Sequence, residues 1–160
     1  RCDVCGKGTY RAQVLPRHDV GDLLGLEGVT IVGARALVCD ACGEVMLEGE
    51  TLGRAQDGLR LLLVTQDGPL SAGEVRFLRK SLEMTQERLA ERLAVHRTTV
   101  ARWETGEVPI GQAESVALRA LAAMKIVQDQ PKLVKEIAGS FLRPFLIRRR
   151  PYEIDLSSAA

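Results

Sequence analysis

Thr85-Gln86-Glu87-Arg88-Leu89-Ala90-Glu91-Arg92-Leu93, then Ala94-Val95-His96, then Arg97-Thr98-Thr99-Val100-Ala101-Arg102-Trp103-Glu104-Thr105-Gly106, reads as two short helices joined by a tight turn. Thr85 is placed to cap the first helix, which turns Leu89, Ala90 and Leu93 inward. The second buries Val100 and Trp103 at i and i+3 and ends at Gly106. Arg97, Thr98, Thr99, Ala101 and Arg102 are left for its other faces. A second helix with small polar residues and arginines near its start has the form that enters a DNA major groove. By pattern alone, a plain four- or five-helix bundle with a solvated polar face fits equally.

Working outward, Ser71-Ala72-Gly73-Glu74 has capping-box spacing and opens a helix that ends near Leu82, with Val75, Leu78 and Leu82 on one face. Downstream, Pro109 precedes a long apolar helix from about Gln112 to Ile126, and Pro131 can open a short last one. Gln66-Asp67-Gly68-Pro69 is turn chemistry and the best domain boundary. Before it, Leu52, Ala55, Leu59 and Leu62 predict a helix from Glu50 to about Thr65. Gly53 and Gly58 lie inside that helix, each costing about 1 kcal/mol relative to alanine. Further upstream, loose alternation over Thr9–Val20 and Val29–Val38, broken by Gly21, Gly25 and Gly28, predicts a small antiparallel sheet. The expected class is α+β: residues 1–66 a small zinc-bound β domain with a connecting helix, residues 71–138 an all-α domain, and residues 139–160 an extension of unknown role.

All four cysteines fall in two knuckles, Cys2-x-x-Cys5-Gly6 and Cys39-x-x-Cys42-Gly43. Two such knuckles can place Cys2, Cys5, Cys39 and Cys42 at the corners of a tetrahedron. Each trailing glycine lets the backbone turn back so that its amides face the sulfurs. Disulfides would also use an even count but favour small secreted chains, and no apolar signal segment opens this sequence. Iron uses similar knuckles; structural Zn²⁺ is the first reading. A zinc closed by four thiolates has no open position and stabilises a fold, and residues 1–46 hold few large apolar side chains with which to fold otherwise.

The 160 residues are 46% apolar and 27% charged, and no apolar run approaches a membrane span. Reduced, metal-binding cysteines point to the cytoplasm. Residues 1–66 carry 7 Lys+Arg against 9 Asp+Glu; four thiolates and one Zn²⁺ make that more negative still and direct nucleic acid elsewhere. Residues 67–130 carry 9 against 9.

The run from Leu78-Arg79-Lys80 through Met84–Gly106 to Pro109 resembles the Xre/Cro-like helix-turn-helix family over residues 71–124. Joined to the two cysteine knuckles, the connecting helix and the ending Gln130–Ile137, residues 2 to about 138 resemble the MqsA-type antitoxins, zinc-finger and helix-turn-helix proteins of bacterial toxin-antitoxin pairs. The resemblance implies a homodimer paired through its C-terminal domain. That dimer would bind a palindromic operator in double-stranded DNA and repress its own operon, while the zinc domain caps a cognate toxin. In that family an asparagine and an arginine on the recognition helix read bases; the arginine matches Arg102, and Thr98 stands where the asparagine would be. Arg102 can donate two hydrogen bonds to guanine, and Thr98 offers a hydroxyl to a base edge and a methyl to thymine. Arg97 and Thr99 lie toward a groove wall and its phosphates. Gln86 matches the family's phosphate anchor at a helix N-terminus, and Glu104 its partner for the arginine at Arg79.

His18 and His96 read as ordinary turn or cap residues. No Ser/His/Asp set, glycine-rich phosphate loop or paired-carboxylate motif stands out, so no enzyme is expected. Phe141, Leu142, Phe145, Leu146 and Ile147 are too apolar for a disordered tail and call for a partner subunit or the chain's own body. Arg148-Arg149-Arg150 is a solvated run or a phosphate contact. Three functions stay open: a repressor that is also an antitoxin, a stand-alone zinc-stabilised regulator, and an interaction module without DNA readout.

Overall fold

The computed structural model describes residues 1–141 and 152–157. The fold is α+β, with a β region first and a helical body after it. Strands β1 (Tyr10–Leu15), β4 (Ala34–Cys39) and β5 (Val45–Leu47) form one antiparallel sheet with β4 in the middle. Strands β2 (His18–Asp19), β3 (Thr30–Val32) and β6 (Glu153–Asp155) form a second, with β3 in the middle. The expected single antiparallel sheet is thus two sheets, and one pairing, β3 with β6, is parallel. Gly33 makes the division: its φ of +67° lets the chain turn a corner between β3 and β4, which would otherwise be one strand. A four-residue helix, α1 (Gly21–Leu24), fills the glycine-rich interval expected to be a turn.

Helix α2 (Gly49–Thr65) leads to the helical body: α3 (Ala72–Ser81), α4 (Gln86–Leu93), α5 (Arg97–Thr105), α6 (Gln112–Asp129), a 3-10 turn (Pro131–Leu133) and α7 (Val134–Phe141). The caps explain the starts. Ser71 and Glu74 form the full reciprocal capping box of α3, and Thr85 Oγ1 accepts from the Arg88 amide at 3.1 Å to begin α4. Helix α6 runs one turn past its expected end, with Lys125 paired to Asp129 at i,i+4.

One core joins α2 to the helical body. Leu59 and Leu63 of α2 are fully buried beside Val75, Leu78, Leu89, Val100, Leu118 and Ala122, and α2 packs on α3, α6 and α7. Each such leucine contributes about 1.5–3 kcal/mol. The second sheet adds Ile31, flanked by Val20 and Val29, to this core. The first sheet adds only Ala34, with Leu47 packed against the margin; the four inner residues of β1 are all exposed.

After α7 the described chain resumes at Tyr152, beside β3 and α2. Residues 152–157 pack on the chain's own β region, while Phe141, expected to pack, is exposed. Leu142, Phe145, Leu146, Ile147 and the arginines 148–150 lie outside the described residues.

Candidate metal centre and nucleic-acid interface

The cysteine sulfurs converge. Cys2 and Cys5 sit on the first knuckle, and Cys39 and Cys42 on the turn between β4 and β5, so the pairing of β1 with β4 brings the two knuckles together. All four Sγ atoms lie within 4.8 Å of one another, with Cys2 to Cys42 at 3.7 Å and Cys5 to Cys39 at 3.8 Å. A tetrahedron with metal–sulfur bonds of about 2.3 Å has edges of about 3.8 Å, so the group fits one metal ion. Gly6 and Gly43 have φ of +65° and +76°, as the knuckle turns require. The amides of Gly8 and Ala41 donate to Cys5 Sγ and Cys39 Sγ at 3.5 and 3.4 Å.

The surroundings add residues that sequence reading did not single out. Tyr10 Oη lies 3.5 Å from Cys2 Sγ, and a thiolate there can only accept, so the hydroxyl donates. That bond, with the knuckle amides, holds the Cys2 thiol down to about 6 and pushes Tyr10 up to about 12. The Glu44 amide lowers Cys42, but burial and the three neighbouring sulfurs outweigh it and push Cys42 up to about 12. Four thiolates this close need a divalent cation to coexist. Gly8 has no room for a side chain, since a Cβ would fall 2.4 Å from Cys39 Sγ. Asp40 accepts from the Thr9 amide and hydroxyl, both at 2.9 Å, and from Arg11 at 3.3 Å. The two Thr9 bonds foremost hold its carboxyl below its usual range. The available signal was position: Thr9 and Tyr10 follow the first knuckle, and Asp40 sits inside the second.

The second constellation is the pair α4 and α5, joined at Ala94 in the left-handed region. His96 caps α5: its Nδ1 accepts from the Thr98 amide at 3.4 Å and lies 2.8 Å from Thr98 Oγ1. Arg97, Thr98 and Arg102 are exposed on α5, and Thr99 is half-buried beside them. Arg102 Nε reaches Glu107 Oε1 at 3.0 Å in an exposed pair, worth at most about 1 kcal/mol. Gln86, half-buried at the start of α4, turns its amide inward and donates to Glu104 Oε2 at 2.9 Å.

Glu104 is the buried hub of this unit, 4% exposed. Arg79 of α3 donates to both its oxygens, and Arg76 donates to its backbone carbonyl, so α3, α4 and α5 meet at one carboxylate. Burial raises its pKa, while the bonds from Arg79 and Gln86 more than offset that, leaving the carboxyl below its usual 4.5.

A family model described as helix-turn-helix matches residues 75–120, from within α3 to within α6. No curated protein matches the chain. The chain carries an Xre-like helix-turn-helix, a domain used by DNA-binding transcription regulators. No described helix is long and apolar enough to cross a membrane.

Proposed function

We propose that this chain is a sequence-specific DNA-binding repressor held in shape by a structural Zn²⁺, and the antitoxin of a toxin-antitoxin pair that controls its own operon. The carrying observation is the helix-turn-helix match over residues 75–120, in which α5 is left with Arg97, Thr98 and Arg102 exposed near its start and along one side. In this reading α5 enters the major groove, Arg102 leaves Glu107 to meet a guanine, and Thr98 lies over a neighbouring base. Arg97 and Thr99 hold the groove wall, and Gln86 swings from Glu104 to a phosphate. The protein acts as a homodimer on a palindrome, its two α5 helices about 34 Å apart. The zinc region, acidic at 7 Lys+Arg against 9 Asp+Glu over residues 1–66, is the surface offered to a basic toxin. In this reading the protein works in the cytoplasm, where its cysteines stay reduced.

The test is binding of the zinc-loaded protein to the DNA just upstream of its own coding sequence, against a shuffled duplex, at several salt concentrations. Preference for the native fragment supports an autoregulator, and co-purification of a small basic protein then separates antitoxin from stand-alone regulator. Equal or absent binding sinks the DNA reading. It would favour an interaction module, which the inward-turned Gln86 and the balanced charge of residues 67–130 also suit.

A further inference from the structure

Residues 152–157 lie in a groove that looks built for them. Tyr152 O accepts from the Thr30 amide and the Leu156 amide donates to Val32 O, both at 2.8 Å, so the segment extends the second sheet through β3. Alternate side chains go in and out: Ile154 and Leu156 are each 6% exposed, while Glu153, Asp155 and Ser157 face solvent. The floor is α2, which approaches because position 58 is glycine; a Cβ there would fall 2.6 Å from Ile154 Cγ2. Gly33 serves Ser157 in the same way, also at 2.6 Å. Arg54 Nη2 of α2 donates to Leu156 O at 3.0 Å, and Arg17 pairs with Glu153 at 2.7 Å. At the far end Tyr152 Oη donates to Glu74 Oε1 at 2.7 Å, the same buried carboxylate that closes the α3 capping box and accepts from Gln66.

We propose that the groove between β3 and α2 is a peptide-binding site of the strand-addition kind, and that its ligand is the chain's own Tyr152–Ser157. The recognised pattern is Tyr-x-Ile-x-Leu: the backbone bonds of β3 give affinity, and the Gly58 slot and Glu74 give selectivity. Occupancy ties three parts together at once: the β region through β3, the connecting helix through Gly58, and α3, the helix that precedes the helix-turn-helix pair, through Glu74. The segment therefore works as a clasp that sets how the metal-bearing end stands against the DNA-binding end. None of this depends on DNA being the target.

Gly58→Ala tests the clasp by the sign of its effect in the full chain. On an open helix face alanine raises Tm, because it is the better helix former. Under a docked clasp the new methyl group strikes Ile154 and Tm falls, by roughly 4 °C or more. A rise in Tm would overturn the proposal. The binding site itself is tested with Ile154→Asp, which releases the clasp, and a fluorescent synthetic peptide of residues 152–157. Saturable binding to Ile154→Asp with none to the parent protein is expected. No binding to a variant that retains its helical circular dichroism, or equal binding to both proteins, would overturn it. Should Ile154→Asp not fold, Tyr152→Phe keeps the question open to measurement: amide exchange over residues 71–75 should quicken, and unchanged exchange there counts against the link to Glu74.

Discussion

The surface ion pair of Arg102 and Glu107 holds its arginine only loosely, as the proposed DNA contact requires. Their exposed contact at 3.0 Å is weak enough to exchange for a guanine edge, whose two hydrogen bonds discriminate by about 1–3 kcal/mol. Arg102→Ala should therefore abolish operator preference with Tm and metal content unchanged; a variant that still selects the same sequence would remove Arg102 from the readout. Glu104 is the opposite case, since its buried carboxylate is ionised in the fold and sits below its usual 4.5. Between the lowered folded value and 4.5 the unfolded chain binds the extra proton, so this stability is complete above about pH 4.5 and is lost as pH falls through the folded value. Glu74, lowered in the same sense by the Ser71, Tyr152 and Gln66 bonds against its burial, adds to that acid limb. Tm followed from pH 6 down to pH 2 should fall less steeply in Glu104→Gln than in the parent protein. The four cysteines and Glu104 were legible one residue at a time, through spacing and resemblance. Tyr10 and the inward turn of Gln86 were not, because both depend on how the folded backbone turns a side chain onto its partner.

At the scale of elements, legibility followed the range of the forces involved. The helices α3 to α5 start and stop within a residue of their expected bounds because Ser71, Glu74, Thr85 and Gly106 act locally. Strands β1 to β4 fall in the stretches expected to be extended but split into two sheets, since nothing local distinguishes a corner at Gly33 from a turn, and β5 was not expected. Strand β6 could not be seen: Glu153-Ile154-Asp155 has a single apolar residue, and its partner β3 is some 120 positions away. The two sheets also differ in what supports them. Sheet β1-β4-β5 gives almost nothing to the core, so the four-cysteine cluster, with the metal it is proposed to hold, would be its main support. Cys39→Ser, or chelation of the parent protein, should unfold β1, β4 and β5 while residues 71–124 melt cooperatively as before. Loss of both in a single transition would show that the metal supports the whole fold.

For the molecule as a whole, the connecting helix packs against the helical body it leads into and shares its core with the second sheet. Leu59 and Leu63 are buried among residues of α3 and α6, although the turn at Gly68-Pro69 had marked a boundary between them. Amides of α2 around Leu59 and Leu63 should accordingly show the same protection in hydrogen exchange as those around Val75 and Leu118, and far more than those of β1. Exchange of α2 together with β1 would restore the boundary at Gly68-Pro69.

The slot at Gly58 and the corner at Gly33 carry a consequence for descent. Both glycines make room for the clasp, but Gly33 also needs its positive φ, whereas Gly58 sits in a helix where glycine is a poor choice. In a lineage that lost residues 152–157, selection would release position 58 at once, and drift would carry it toward alanine or a larger helix former. Position 33 would stay glycine as long as two sheets met there. The two positions would thus part company in such descendants, and the residue at 58 would record whether an ancestor had kept its clasp.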